Sequence, residues 1–314
     1  MIKNNFENKI NVIYLAGVSY CGSTLLSFIL NTHPQIFSIG EMGPYAPFEH
    51  EGYKCSCGSK IHECPFIIKI KDIMEKNYNL PFNTGKWNLR HEIALNRITK
   101  FLTRSPKSNC FLFLISPFLN IFSINYKELI RLYSFRNEAF IRASLAVSDK
   151  KFFFDATKSY RRIILYSKNP NINLKVLHLV RDPRGYAFSA YKRHRKALNI
   201  GALEWRKENH FIGNYVNSLK TNQALRLKYE NFCVNPQKSL KILTEFIGAR
   251  SFNIRTDQFG DNEHHIIGND MRLRPRALKT IRLDEKWRNN LSFSDQKMIF
   301  NITSKLAHIY GYNL

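Results

Sequence analysis

Apolar residues in this chain gather in short runs, each closed by a polar or glycine-containing turn and followed by a stretch with helical spacing. The runs are residues 11–16 (NVIYLA), 151–155 (KFFFD), 174–180 (LKVLHLV) and 224–229 (ALRLKY). Mostly apolar segments of this length, bounded by turn residues, predict strands buried on both faces. Behind the first run comes a loop, 17–22, and then residues 23–30 (STLLSFIL), which predict a helix opened by a Ser/Thr cap and stopped before His33-Pro34. Residues 237–248 predict another helix, with Leu240, Ile242, Leu243 and Phe246 along it. Strands that alternate with helices predict an α/β fold, a parallel sheet covered by helices on both faces, with ligands at the carboxyl ends of the strands.

Residues 66–148 read as mostly helical and predict an insertion over the ligand end of that sheet. The basic stretch 270–288 predicts a return of the chain to the same site. No Pro/Gly/Ser-rich linker, repeat or low-complexity tract divides the sequence, so one domain over residues 1–314 is expected.

Charge changes the picture next. Lys and Arg outnumber Asp and Glu by 48 to 24, and the resulting positive field favours anionic ligands. That excess is not a terminal arm or a polybasic run. Between Lys158 and Lys196 eleven basic residues and one acid, Asp182, are interleaved with strand and helix patterns, so no nucleic-acid partner is expected. Residues 1–9 are polar and run into the first strand without a signal-peptide pattern. The longest apolar stretch, 110–125, is broken by Ser116, Pro117, Asn120 and Ser123 and falls short of a membrane span. A cytoplasmic protein with no membrane span is the expectation.

Six cysteines are too few for a disulfide scaffold at this length, yet three cluster as Cys55-Ser56-Cys57 and Cys64. The cluster admits three readings: a structural zinc held by Cys55, Cys57 and Cys64 with His62 as fourth ligand, a disulfide between two of the thiols, or a reduced turn.

Two motifs carry the candidate chemistry. Gly17-Val-Ser-Tyr-Cys-Gly22-Ser23-Thr24 has the spacing of a phosphate-binding P-loop, with Ser23 where the nucleotide-hydrolysing forms carry lysine. Backbone N–H groups at the head of a helix still bind a phosphate there, so a P-loop-type sheet is expected while ATP or GTP hydrolysis is disfavoured. The second motif follows the third run: Arg181-Asp-Pro-Arg184, then Ser189 eight residues beyond Arg181. A guanidinium at a strand end and a hydroxyl in the next helix suit a second phosphate. Read alone, Arg-Asp-Pro is more often a structural ion pair at a helix start.

Together these motifs resemble the 3′-phosphoadenosine 5′-phosphosulfate (PAPS)-dependent sulfotransferases, in a bacterial-type branch related to carbohydrate and protein-tyrosine enzymes. The likeness continues through His33-Pro34 with Gly40-Glu41, Asp155-Ala-Thr-Lys158-Ser159, Tyr229-Glu230-Asn231-Phe232 with Pro236, and His264 with Gly268-Asn269 and Arg272. The Cys55/Cys57/Cys64 segment followed by Pro65-Phe66 also resembles a feature of that branch. It implies that PAPS is the co-substrate, with Ser19, Tyr20, Cys21, Gly22, Ser23 and Thr24 around its 5′-phosphosulfate. Arg181 and Ser189 would take its 3′-phosphate, and Arg272 and Arg274 would close over that phosphate.

Tyr20 and Cys21 depart from the family pattern, which often has a basic residue and Ser there. The cation's role is expected to pass to Lys158, although a lysine on a turn is also explained by plain exposure. Glu41 matches the glutamate that deprotonates the acceptor hydroxyl, with a helix-capping role as the other reading. His194 and His264 are alternative bases. Trp287 and Arg288 suit either stacking on the nucleotide or core packing. The acceptor is a hydroxyl-bearing molecule, carbohydrate, peptide or small. Competing expectations are a P-loop kinase or NTPase using Asp155 for Mg²⁺, and a non-catalytic nucleic-acid-binding protein.

Overall fold

The computed structural model describes residues 8–42, 53–80, 124–158, 160–259, 263–274 and 280–314. The apolar stretch 110–123, residues 81–109 of the expected insertion, residues 1–7, Ser159 and part of the basic tail, 275–279, lie outside them.

In chain order the described residues form β1 (Ile10–Gly17), α1 (Ser23–Asn31), β2 (Ile36–Ser38), α2 (Pro65–Tyr78), α3 (Ile124–Ser148) and β3 (Phe152–Asp155). There follow α4 (Tyr160–Lys168), β4 (Ile172–Val180), α5 (Pro183–His194), α6 (Leu198–Ser218), β5 (Ala224–Lys228), α7 (Tyr229–Val234), α8 (Pro236–Ile247), α9 (Lys286–Asn290) and α10 (Phe293–Ile309). The strands pair in the order β2-β3-β1-β4-β5, and every pairing is parallel. All four expected strands are present. β2 is a fifth, whose three residues are too few to stand out in the sequence.

Alternation along β1 assigns its side chains to two cores. Val12 and Tyr14 face α2, α3, α4 and α6, packing with Ile67, Ile70, Phe140, Ile163 and Ile212. Ile13 and Leu15 face α1 and α8, with Leu26, Phe28, Leu240 and Leu243. Burial of each such side chain is worth about 1.5–3 kcal/mol, which drives helices onto both faces of a sheet with no polar side. α2 and α3, the described helices of the expected insertion, therefore cover a face of the sheet. No helix among the described residues is long and apolar enough to cross a membrane.

The helix after the loop begins differently from the expectation. Its cap is Gly22, at φ 94°, with no side-chain cap hydrogen bond. A Cβ at Gly22 would lie 2.5 Å from the Tyr229 ring, so the turn demands glycine for both torsion and space. Gly17 fills a similar need, because a Cβ there would meet the Leu179 carbonyl at 2.9 Å.

Candidate active site

β1 and β4 are neighbours, so the loop that leaves β1 and the arginine that ends β4 share one edge of the sheet. Arg181 closes the distance. Its Nη1 donates to the Tyr20 carbonyl at 2.8 Å and reaches Ser189 Oγ at 3.5 Å, and its guanidinium lies 4.6 Å over the Tyr229 ring. Nη2 donates to the backbone carbonyl and carboxylate of Asp284, at 3.1 and 3.2 Å. Arg181 is 94% buried by this packing, which fixes its direction toward the loop. Chain 280–288 does return to the site, bringing an acid rather than an arginine to Arg181.

The strand end is held by residues whose roles sequence reasoning missed. Asp182 caps α5 by accepting from the Arg184 N–H at 2.8 Å and pairs with the Arg184 side chain at 2.7 Å. Its own N–H donates to Glu230 at 2.9 Å, and Tyr312 donates to the other Glu230 oxygen at 2.7 Å. Burial pushes the Glu230 carboxyl above its ordinary range, and these two hydrogen bonds partly offset that. Trp287 is buried under the Arg184 guanidinium at 4.5 Å, and with Arg288 it lines a cavity of about 240 Å³ beside Asp284.

Between the loop and β2 sits a second constellation. Lys158 Nζ donates to Glu41 Oε1 at 2.6 Å, to Ser23 Oγ at 3.1 Å and to the Ala156 carbonyl at 3.0 Å. Glu41 is anchored by its backbone, whose N–H donates to the Ile267 carbonyl at 3.1 Å. Next along, the Met42 N–H donates to Thr157 Oγ1 at 2.7 Å, and Thr157 in turn donates to Asp155. Lys158 adopts φ 63° and Tyr20 φ 62°, left-handed torsions that cost an L-residue about 1–2 kcal/mol each. Tyr20 lies within the loop, and Lys158 reaches its end at Ser23.

Several expected site residues stand elsewhere. The Cys21 side chain is fully buried in the core beneath the loop, where the missing side chain of Gly17 leaves it room, so only its backbone faces the site. Ser19 is exposed, and the Tyr20 ring leans on Tyr186 and His194. Arg272 is buried with its guanidinium against the Lys54 and His265 carbonyls and over the Tyr53 ring at 4.5 Å. That burial commits it to the 53–56 segment, in place of the expected closure over Arg181; Arg274 is exposed. Asp155 is fully buried and accepts from Arg162 Nε at 2.9 Å and Tyr166 at 2.8 Å, a satisfied structural carboxylate in place of a Mg²⁺ ligand. Exposed His62 pairs with Glu63 at 3.3 Å, and it is His264 that joins the cysteines, 3.3 Å from Cys64 Sγ, which removes His264 from the alternative bases.

A glycine loop and an arginine-bearing strand end thus stand side by side on a parallel α/β sheet, bridged by Arg181 and flanked by a lysine–glutamate pair. Residues 11–301 match the sulfotransferase domain family, and the chain belongs to it. Its reaction is sulfuryl transfer. Among solved structures it is similar to the sulfotransferase domain from the Synechococcus PCC 7002 olefin synthase, at 17% identity and TM-score 0.50, over 99% of this chain and 98% of that one. It is also similar to the sulfotransferase domain from the curacin biosynthetic pathway, at 16% identity and TM-score 0.53, over 98% and 99%. At such identities the likeness speaks for the fold. A comparison with curated proteins finds no match.

Proposed function

We propose that the protein transfers a sulfuryl group from PAPS to a hydroxyl of its acceptor by direct in-line displacement. The observation that carries this reading is the 2.8 Å hydrogen bond from Arg181 to the Tyr20 carbonyl, which brings the end of β4 against the glycine loop. The donors there suit a doubly phosphorylated adenosine. First-turn N–H groups of α1, with Ser23 and Thr24, would hold the 5′-phosphosulfate. Arg181 and Ser189 would hold the 3′-phosphate, with the Asp284 carboxylate giving way to it.

Glu41 then accepts the proton of the acceptor hydroxyl as that oxygen bonds to sulfur. Lys158, already hydrogen-bonded to both Ser23 and Glu41, stabilises the charge that collects on the 5′-phosphate as its bond to sulfur breaks. Side-chain cations do here what Mg²⁺ does in phosphoryl transfer. The products are the sulfated acceptor and adenosine 3′,5′-bisphosphate.

Thermal unfolding with added ligand tests the donor. Adenosine 3′,5′-bisphosphate at a hundred times its Kd should stabilise the fold by about 2.7 kcal/mol, and Arg181→Ala should cut that gain to about 1.4 kcal/mol or less at the same ligand concentration. Stronger stabilisation by ATP with Mg²⁺ would support a kinase instead. Steeply salt-dependent binding of RNA, with no response to the bisphosphate, would support a nucleic-acid-binding protein.

A further inference from the structure

Away from the cleft, three thiols and an imidazole converge from segments 200 residues apart. Cys55, Cys57, Cys64 and His264 each present one ligand atom, and these atoms all lie within 4.8 Å of one another. Cys57 Sγ is 3.8 Å from Cys64 Sγ, and His264 Nδ1 is 3.3 Å from Cys64 Sγ and 3.8 Å from Cys55 Sγ. A tetrahedral zinc with sulfur at about 2.3 Å and nitrogen at about 2.0–2.1 Å sets its ligands about 3.8 Å apart sulfur to sulfur and about 3.6 Å sulfur to nitrogen. These three separations agree with that to within a few tenths of an ångström, and all four ligand atoms lie within 4.8 Å of one another. A disulfide needs its sulfurs at about 2.05 Å, well inside the separation seen.

The surroundings hold the ligands in place. Gly58, at φ 93°, turns the chain so that its N–H donates to the Cys55 carbonyl at 2.9 Å, a turn that sets Cys55 and Cys57 side by side. Phe66 stacks on the His264 ring at 4.8 Å and 12°, aiming Nδ1 at the thiols. Three thiolates and one neutral imidazole on a divalent ion leave a net charge of −1, and Lys54 and Lys60 lie close to the ligands in sequence. Three sulfurs and one nitrogen in a tetrahedron suit zinc better than hard cations or square-planar copper.

We infer that Cys55, Cys57, Cys64 and His264 bind one structural Zn²⁺ that fastens the 263–267 segment to the 53–64 loop. With all four positions filled by protein, the ion is structural and takes no part in the transfer. Its reach toward the cleft is through the backbone. Ser56 donates from Oγ to the Glu263 carbonyl at 2.9 Å and from its N–H to the His265 carbonyl at 3.1 Å. The same segment supplies the Ile267 carbonyl that receives the Glu41 N–H, and Ile266 donates to the Ile39 carbonyl at 3.1 Å. The ion thereby steadies the strand extension on which Glu41 sits.

Metal analysis of the full chain, purified under reducing conditions from zinc-supplemented culture and desalted, tests this directly. One equivalent of zinc per chain is expected. Replacement by Co²⁺ should give the visible bands of a tetrahedral thiolate site. His62→Ala should keep the metal, while Cys57→Ser and His264→Ala should weaken retention against a chelator. Chelation of the wild type should speed amide exchange at 263–267 and 39–41 without abolishing the bisphosphate thermal shift, which separates this inference from the donor reading. Only trace zinc in folded wild-type protein, a disulfide among the three cysteines by mass spectrometry, or loss of metal in His62→Ala with retention in His264→Ala would each overturn it.

Discussion

Lys158 and Glu41 meet at 2.6 Å, each three residues beyond the end of its strand, and the two strands are neighbours in register at Ser38 and Phe154. A parallel sheet thus delivers an ammonium and a carboxylate to the same point, beside the loop that starts from the next strand. Since both groups touch the region where donor and acceptor must meet, their removal should separate binding from chemistry.

Glu41→Gln keeps the size and most hydrogen bonds while losing the proton acceptor. Turnover should fall by about 10²- to 10⁴-fold, the usual contribution of a positioned base. The thermal shift with adenosine 3′,5′-bisphosphate should survive. Steady-state rates with any accepted hydroxyl substrate check the first expectation, and a variant with wild-type turnover would remove Glu41 from the reaction.

At the other end of the cleft, Arg181 is shared between the loop and Asp284. A charged hydrogen bond of this sort is worth about 1.5–3 kcal/mol, so Arg181→Ala should weaken bisphosphate binding by about 10- to 100-fold or more. Asp284→Asn acts in the opposite direction. The half-exposed Asp284 carboxylate competes with a phosphate for one guanidinium, and ending that competition, worth up to about 1 kcal/mol, should tighten binding by up to about five-fold. Calorimetric titration measures both, and weaker binding in Asp284→Asn would show that this acid supports the ligand.

Gly22→Ala should damage fold and site together. The new methyl would meet Tyr229, whose ring also carries Arg181, and the alanine would be forced into a left-handed torsion. Strain of about 1–3 kcal/mol corresponds to a drop of several degrees in Tm. Scanning calorimetry of the variant reads the drop, and an unchanged Tm would mean that the loop relaxes freely.

Those two glycines show what was legible beforehand. Gly17 and Gly22 mark a strand-to-helix turn whose spacing is local, so the loop, its strand and its helix all stand out in sequence. Arg181 and Ser189 were equally local, one at a strand end and the other two turns into the next helix. Contacts across long separations left no such trace. Nothing within reach of Cys64 marks His264 as its partner over nearby His62, and nothing near Arg181 marks Asp284. Cys21 misled because its position in the loop says nothing about which way its side chain turns; the hole left by Gly17 decides that. Arg272 misled for a related reason, since a basic residue near a phosphate site looks like a ligand until its burial against Tyr53 is seen.

Part of the acid sensitivity should trace to His178, on β4 just before the strand end that carries Arg181. Its ring is fully buried, accepting from Arg226 Nε at Nδ1 (3.2 Å), so Nε2 carries the proton and donates to Asn209 Oδ1 at 3.3 Å. Burial, reinforced by the Arg226 charge, pushes its pKa down to about 3 from an ordinary 6.5. A depressed value means that the unfolded chain binds this proton first. The stabilisation is therefore complete above pH 6.5 and drains away as pH falls from there toward 3, by up to about 1.4 kcal/mol per pH unit. His178→Gln keeps an acceptor for Arg226 and a donor for Asn209 but cannot titrate. Urea unfolding at pH 7, 6 and 5 should show a shallower acid decline in this variant by that one-proton slope. Parallel declines in the two proteins would mean that the acid lability arises at other carboxylates or histidines.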